Sequence, residues 1–321
     1  MARWPYFCAG CKVRMVQQLV EPSGSMRTVD SPMGLLGLPH MATKSMLRKA
    51  LLFPYQIFVI LFFFLLTYSW GVVSYVAGFF DANGNLARRC LTQWARTSLA
   101  LAGLRVHIEG QERLNPKNTY IFMPNHASFL DTLLAFAYIP CNFRNIIKEE
   151  VFSIPLLGSV LRRSGQIPMD RKNPWKALKS LRQAADLLKE GVSVLVFPEG
   201  TRTPNGEIQE FKTALFILPI RSRIPVVPVL IEGTFQALKR GSILLNPVPL
   251  KLTFCDPIPV DSFGVRDRRI YAEKIRQALS ISYGTLMKSC LEFPNNGIRQ
   301  ALLSFSFEGQ VDSISPANGA A

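Results

Sequence analysis

The hydrophobic positions along this chain change their spacing repeatedly, and the first change marks a long apolar run. No charged residue occurs between Lys49 and Asp81, and a helix needs roughly 20 apolar residues to span a bilayer. We expect one tilted span, or two shorter helices hinged near Gly71 that enter and leave one leaflet. The alternative is a helix buried in a protein core, which the length of the run disfavours.

Strand-like and helix-like patterns then alternate to about residue 290. A helix is predicted through Trp94 and Leu101, and it leads into an alternating segment in which His107 faces solvent. Strand patterns occupy residues 105–109, 119–123, 192–197, 224–234 and 250–254, and an amphipathic helix is predicted at 266–290. This alternation predicts an α/β fold with a largely parallel central sheet flanked by helices, preceded by a membrane-anchoring hydrophobic helix or helix pair.

One helix of this series has clear boundaries. Asn173 is a suitable N-cap, Pro174 fits the first helical position and Gly191 ends the helix. We predict that its buried face consists of Leu178, Leu181, Ala185 and Leu188.

We divide the chain into four segments. Residues 1–40 are predicted to be a poorly ordered extension, 41–85 the membrane-anchoring segment, 86–292 an α/β domain and 293–321 a disordered tail. Met41 stands just before the apolar run, so we expect the first forty residues to be a wrongly assigned extension. A targeting segment is the alternative, although the apolar run lacks a clear small-residue cleavage site.

The composition supports a membrane partner. Hydrophobic residues make up 48% of the chain and the formal net charge is +15, which suits an anionic lipid surface or an anionic substrate. Nucleic acid is not expected, because no helix-turn-helix, zinc-finger or RNP pattern is present. The six cysteines do not suggest a disulfide framework, and the Cys8 and Cys11 pair lacks the further ligands of a zinc site, so no metal is expected.

The strongest candidate for chemistry is His126. It follows the predicted strand 119–123 and precedes a helical pattern that begins near Leu130, so we place it on the loop between them. Asp131, in the first turn of that helix, can then fold back to accept the Nδ1–H of the imidazole. Nε2 is then available to accept a proton from a substrate hydroxyl.

A structural interpretation of the same residues stands beside this one. Ser128 and Asp131 also match a capping box variant, in which Ser128 is the N-cap and Asp131 the third helical residue. The two roles do not exclude each other, because a carboxylate at this position can support the helix and still reach the histidine.

Further candidates follow other predicted strands. Arg171 follows residues 165–170, and residues 199–202 follow the strand at 192–197. Ligands of open parallel sheets bind at the carboxyl ends of strands, and guanidinium groups suit phosphate. With Lys148 behind them, Arg171 and Arg202 are candidate phosphate ligands, although any one arginine could simply belong to a solvated surface. No G-x-S-x-G, P-loop or H-E-x-x-H pattern supplies a different chemistry.

The chain resembles the PlsC-type 1-acyl-sn-glycerol-3-phosphate acyltransferases. NHASFLD matches N-H-x4-D, and GQIPMDR, FPEGTRT and VPVLIEGT follow in the family's order, within about residues 45–265. The resemblance implies an acyltransferase domain at 86–292 that moves a fatty acyl group to the sn-2 hydroxyl of lysophosphatidate, giving phosphatidate. One departure is Pro168, where the family usually has an aromatic residue, and a proline confines that strand to an edge or a bulge.

The resemblance also implies roles for single residues. His126 is the general base and Asp131 its orienting partner. Pro228 lies in a block linked to the acyl-donor region. The substrate-binding candidates are Lys148, Arg171, Glu199, Gly200, Thr201 and Arg202.

The implied partners are membrane lipid, lysophosphatidate, and acyl-CoA or acyl-carrier protein as co-substrate, with no separate cofactor. The protein is expected to be membrane-associated with its catalytic domain on the cytoplasmic face, at the cell membrane if the source is bacterial. Glycerol 3-phosphate or a larger lysophospholipid is an alternative acceptor, and Arg202 favours lysophosphatidate. A non-catalytic lipid-binding membrane module is a further alternative, which the intact His126 and Asp131 disfavour, and a lipid hydrolase would need a nucleophile that the sequence does not show.

Overall fold

The computed structural model of the protein describes residues 38–80 and 85–292. The chain divides into two units, residues 1–51 and 52–321. In the first unit only helical backbone from Leu38 onward is described, and the side chains that the structure describes all belong to the second unit. Residues 1–37 of the predicted extension and the predicted tail at 293–321 lie outside the described residues.

A seven-stranded sheet forms the centre of the second unit. Its strands are β1 (Val106–Glu109), β2 (Ile121–Pro124), β3 (Phe143–Lys148), β4 (Ile167–Met169), β5 (Ser193–Leu195), β6 (Val226–Glu232) and β7 (Leu250–Phe254). They lie in the order β1-β7-β6-β2-β5-β3-β4. Strands β2 to β6 are parallel to one another, whereas β7 is antiparallel to β6, and β1 is parallel to β7. The predicted α/β fold with a largely parallel sheet is therefore confirmed.

Pro168 occupies a position in the sheet that tolerates a proline. It is in β4, the edge strand, which pairs with β3 alone. A proline has no N–H to donate to a second neighbour, and an edge strand has no second neighbour. The proline therefore leaves the sheet intact and keeps Arg171 just beyond its carboxyl edge.

Helices cover both faces of this sheet. Residues of the first three helices join one buried apolar cluster, and residues of the fifth, sixth and eighth join the other. The helices are α1 (Leu38–Ala77), α2 (Asn85–Leu101), α3 (Leu130–Tyr138), α4 (Leu157–Arg163), α5 (Pro174–Lys189), α6 (Ile217–Ser222), α7 (Thr234–Ala237) and α8 (Arg268–Glu292). Short 3₁₀ turns occupy Gln111–Arg113, Glu149–Ser153, Thr213–Phe216 and Val265–Asp267.

Helix α1 contains a segment, Pro54–Ala77, that is 24 residues long and apolar enough to cross a membrane. The hinge expected near Gly71 is not observed, because the helix passes through Gly71 and ends at Ala77. Gly71 instead permits close packing, since a Cβ atom there would lie only 2.8 Å from Cδ2 of Leu156.

One side of this segment packs against the domain along its length. Tyr55 donates to a backbone carbonyl just after α2 at 3.0 Å, and Thr67 accepts a 3.0 Å hydrogen bond from the indole of Trp94. Near the far end, the guanidinium of Arg163 lies 4.4 Å from the ring centre of Tyr75. The opposite side of the segment exposes many large apolar side chains.

Candidate active site

Three loops meet at the carboxyl edge of the parallel strands. The loop after β2 carries His126, the loop after β4 carries Arg171, and the loop after β5 carries residues 198–203. The guanidinium of Arg171 donates a hydrogen bond to the carbonyl of Gly200. The carbonyl of His126 accepts one from the N–H of Thr203 at 2.8 Å. Residues separated widely in sequence are thereby brought to one place.

His126 and Asp131 form a hydrogen-bonded pair. Nδ1 of the imidazole lies 2.9 Å from Oδ2 of the carboxylate, and the Asp131 side chain is fully buried. The same oxygen accepts the backbone N–H groups of Ala127 at 2.6 Å and Ser128 at 2.7 Å. A carboxylate oxygen accepts, so Nδ1 of His126 is the donor in this pair, which leaves Nε2 as the acceptor when the ring is neutral.

The capping interpretation of these residues holds in part. Helix α3 begins at Leu130, and the bond from the Ser128 N–H to Asp131 is one of the two bonds of a capping box. The Ser128 hydroxyl donates to the carbonyl of Leu238 at 2.7 Å. It accepts the N–H of Leu130 at 3.4 Å, which is a long and therefore weak capping bond. One oxygen of Asp131 therefore both stabilises the start of α3 and orients the histidine.

The side chain of Glu199 binds the backbone of the loop that carries His126. Its side chain is buried, Oε1 accepts the backbone N–H of His126 at 2.7 Å, and Oε2 accepts that of Gln209 at 3.3 Å. Burial raises the pKa of Glu199 to about 7, an effect that these two N–H groups oppose and the negative charge of Asp131 reinforces. This geometry is that of a positioning residue, and the predicted contact of Glu199 with substrate stays a prediction.

Asn125 and Phe197 make further contacts that stabilise the site. The Asn125 side chain accepts the N–H of Ile231 at 2.7 Å and donates to its carbonyl at 2.9 Å, which extends the pairing of β2 with β6. The ring of Phe197 stacks on the imidazole of His126, with centroids 3.9 Å apart. Both residues belong to the matched motifs, yet neither was predicted to have a role.

His126 opens into a cavity of about 570 Å³. Five predicted site residues line it: His126, Lys148, Arg171, Thr201 and Arg202. Asp131, Glu199, Gly200 and Pro228 do not line it. The structure thus brings the candidate base and the three predicted cations together around one space.

The cavity has an apolar side and a cationic side. The apolar side is built from α1, α2, β3 and the loops after β2 and β3, and includes Phe63, Trp94, Phe129, Ile147 and Leu156. The cations are Lys148, Arg171, Arg202 and Arg240. Arg240 had no signal in the sequence, because it follows α7 outside every motif. It reaches the site by donating to the carbonyl of Arg202 at 3.2 Å.

The three predicted cations differ in how freely they can bind an anion. Arg171 already donates to Gly200, and Lys148 forms an ion pair with Glu150 at 2.9 Å. Arg202 is half-buried, and its guanidinium has no hydrogen-bond or ion-pair partner within residues 54–80 and 86–282. Arg202 is therefore the cation most available to a phosphate.

Gly200 and Pro228 do not line the cavity, and what the structure shows of them concerns the backbone. Gly200 has φ +72°, which a glycine adopts without strain, and this turns the chain between Glu199 and Thr201. Pro228 is buried in β6 opposite Met123 of β2. Any influence of Pro228 on an acyl donor would have to pass through the packing of β6.

No group of three or more histidine, cysteine, aspartate or glutamate side chains suited to a metal ion occurs in the part of the chain that the structure describes.

Residues 105–232 match the family model described as Acyltransferase. A relative named 1-acyl-sn-glycerol-3-phosphate acyltransferase, from Limnanthes alba, is 33% identical over 166 residues, which are 51% of this chain and 58% of the relative. The protein named 1-acyl-sn-glycerol-3-phosphate acyltransferase alpha, from Homo sapiens, is 28% identical over 180 residues, 56% of this chain and 64% of that protein. The chain therefore spans less than two thirds of these relatives.

The fold is also similar to that of a solved protein, the 1-acyl-sn-glycerophosphate (LPA) acyltransferase PlsC from Thermotoga maritima. The two share 25% sequence identity with a TM-score of 0.60, over 71% of this chain and 96% of that one. The resemblance first recognised in four short motifs is thus confirmed: residues 105–232 match the Acyltransferase family model, and the fold is similar to that of PlsC.

Proposed function

We propose that this protein transfers a fatty acyl group from a thioester to the sn-2 hydroxyl of 1-acyl-sn-glycerol 3-phosphate, giving phosphatidate. The observation that carries the proposal is the His126–Asp131 pair, with His126 lining a cavity that is apolar on one side and cationic on the other. The names of the relatives agree with this reaction.

His126 acts as the general base in this proposal. Nε2 takes the proton of the sn-2 hydroxyl while the hydroxyl oxygen attacks the carbonyl carbon of the thioester. A carbon–oxygen bond forms, the carbon–sulfur bond breaks, and the proton leaves with the thiol. Asp131 holds the productive tautomer and stabilises the imidazolium formed on the way.

The cationic side of the cavity suits the phosphate of the acceptor. Arg202 has its guanidinium available, and a guanidinium can bind two phosphate oxygens at once. Arg171 and Lys148 add positive charge, and Arg171 also holds the Gly200 turn. The acyl chain of a substrate would occupy the apolar side, where hydrocarbon replaces water. The donor is acyl-CoA or acyl-carrier protein, and the chemistry needs no further cofactor.

The exposed side of the 54–77 segment supports a membrane location. Its other side contacts the domain along its length, so we propose that the segment lies along the domain with its exposed face in lipid. The catalytic domain then faces the cytoplasm, where thioester donors are found. An acceptor that is itself a lipid could reach His126 from the membrane without crossing water.

The direct test is an assay of purified protein with acyl-CoA and with acyl-carrier protein against lysophosphatidate, glycerol 3-phosphate and larger lysophospholipids. His126→Ala should lower turnover by about 10² to 10⁴, the usual effect of losing a general base. His107→Ala is the matched control, because that histidine is exposed on β1. Near-normal turnover by folded His126→Ala protein would refute the mechanism, and a preference for another acceptor would change the substrate.

A further inference from the structure

The loop that joins α7 to β7, residues 238–249, exposes two large apolar side chains to solvent. Ile243 is 72% exposed and Leu244 is 55% exposed. The loop contains Lys239 and Arg240, both exposed, and no acidic residue. Exposed aliphatic residues beside cations are the pattern of an element that enters an anionic lipid surface.

This loop lies beside the exposed face of α1. The Gln56 side chain, which is buried, donates to the carbonyl of Leu245 and accepts the N–H of Leu245 at 2.8 Å. Ile57 directly follows Gln56 and Leu244 directly precedes Leu245, so their exposed side chains stand on adjacent stretches of backbone. The tip of the loop therefore lies next to the exposed apolar face of α1.

The loop is also attached to the candidate active site. The carbonyl of Leu238 accepts a hydrogen bond from the hydroxyl of Ser128, and Ser128 is two residues from His126. Arg240 donates to the carbonyl of Arg202 at 3.2 Å and itself lines the cavity. The loop thus contacts both the histidine loop and the cationic side of the cavity.

We propose that the Ile243 and Leu244 tip is a second membrane contact, which enters an anionic bilayer beside α1 and aligns the cavity with the lipid surface. With the 54–77 segment as its only contact, the domain could still rock by a limited rotation about the long axis of the helix. A second contact at residues 243–244 prevents that rotation, and Lys239 places a positive charge at the level of the headgroups. The inference rests on the membrane location in the proposed function but not on its chemistry.

The test measures depth in the bilayer directly. Ile243→Cys in the full chain is labelled with an environment-sensitive fluorophore and placed in vesicles of phosphatidylcholine and phosphatidylglycerol at 3:1, some carrying doxyl-labelled lipid. The signal of the unsubstituted chain, treated identically, is subtracted. We expect blue-shifted emission and at least about twofold quenching at residue 243, with less of both when phosphatidylglycerol is omitted.

Two matched positions make the result decisive. Ile270→Cys lies on α8 and is 64% exposed, so its label should remain in water. Phe58→Cys lies on the exposed face of α1 and should be quenched. Quenching at 58 without quenching at 243 overturns the second contact alone, whereas no quenching at either overturns the membrane location as well. A blue shift at 243 that needs no vesicles and grows with protein concentration would identify a second copy of the chain as the partner and would overturn the inference.

A functional measurement separates alignment from folding. Ile243→Ser with Leu244→Ser should raise the apparent KM for lysophosphatidate in vesicles by about tenfold, because less apolar surface enters the lipid. It should leave kcat unchanged for a short-chain acceptor dissolved in water, which needs no alignment. Ile270→Ser should alter neither value. Equal losses on both acceptors would show that the tip supports the fold rather than the membrane contact.

Discussion

Asp131→Asn tests whether the buried carboxylate acts in catalysis or only at the start of α3. Oδ2 accepts three N–H groups, from His126, Ala127 and Ser128. These donors force the substituted amide to place its oxygen at the position of Oδ2. The imidazole therefore keeps its orientation and tautomer, and what it loses is the negative charge that stabilises the imidazolium.

The size of the effect follows from that geometry. A hydrogen bond to a charged group contributes about 1.5 to 3 kcal/mol, which corresponds to roughly a tenfold to 150-fold loss in kcat. The amide NH₂ would occupy the position of Oδ1, which is buried and has no hydrogen-bond partner among the described residues. An unsatisfied buried donor costs about 1 to 3 kcal/mol of stability.

The assay compares kcat and thermal unfolding of the same preparation, with the assay temperature kept well below the Tm of the variant. Ser128→Ala is the matched control, because it removes the hydroxyl but keeps the N–H that binds Asp131. We expect this control to lower the Tm and to leave kcat within a few fold. An Asp131→Asn protein with normal kcat and a lowered Tm would show that the carboxylate is a helix cap alone.

Three further substitutions test other contacts. Glu199→Gln should flatten the pH dependence of stability between about pH 4.5 and 7. In the wild type the folded-state pKa of Glu199 is about 7, so only the unfolded chain ionises this group as pH rises through that range, and the unfolding free energy falls by up to about 3 kcal/mol. Chemical denaturation at several pH values checks this. Arg202→Lys should lower kcat/KM for lysophosphatidate by roughly tenfold to a hundredfold while changing the KM of the donor little, and the reverse pattern would assign the arginine to the donor. Gly158→Ala should lower the Tm strongly because its Cβ would overlap the carbonyl oxygen of Phe152. Gly264→Ala, with its nearest contact at 3.4 Å, should not, and equal Tm values would contradict that packing.

The apolar pattern of α5 illustrates the limit of local prediction. The cap at Asn173 is confirmed, with its side chain accepting the N–H groups of Trp175 and Lys176. The predicted buried face is confirmed in part: Leu188 is buried, Leu181 and Ala185 pack partly buried against the core, and the other buried positions are Ser180 and Ala184. Small side chains such as Ser180 and Ala184 let the helix approach the sheet closely. A hydrophobic pattern does not show which positions require a small side chain.

Strand direction also lay beyond the sequence pattern. Residues 250–254 were predicted as a strand and form β7 with the same bounds. The apolar spacing of a strand is the same in both directions, so it could not show that β7 runs against β6. The direction follows from tertiary structure, because only the four-residue helix α7 lies between the two strands and no long helix returns the chain across the sheet.

The sequence by itself determined the parts of the site that lie within one strand, loop and helix. His126 and Asp131 are five residues apart, so a strand ending before them and a helix starting between them were enough to predict their contact, which the structure contains at 2.9 Å. Tertiary structure alone decided the contacts that join distant segments. Phe197 stacks on the imidazole, Glu199 holds its backbone and Arg240 reaches the cavity because parallel strands bring their carboxyl ends to one edge whatever their separation in sequence.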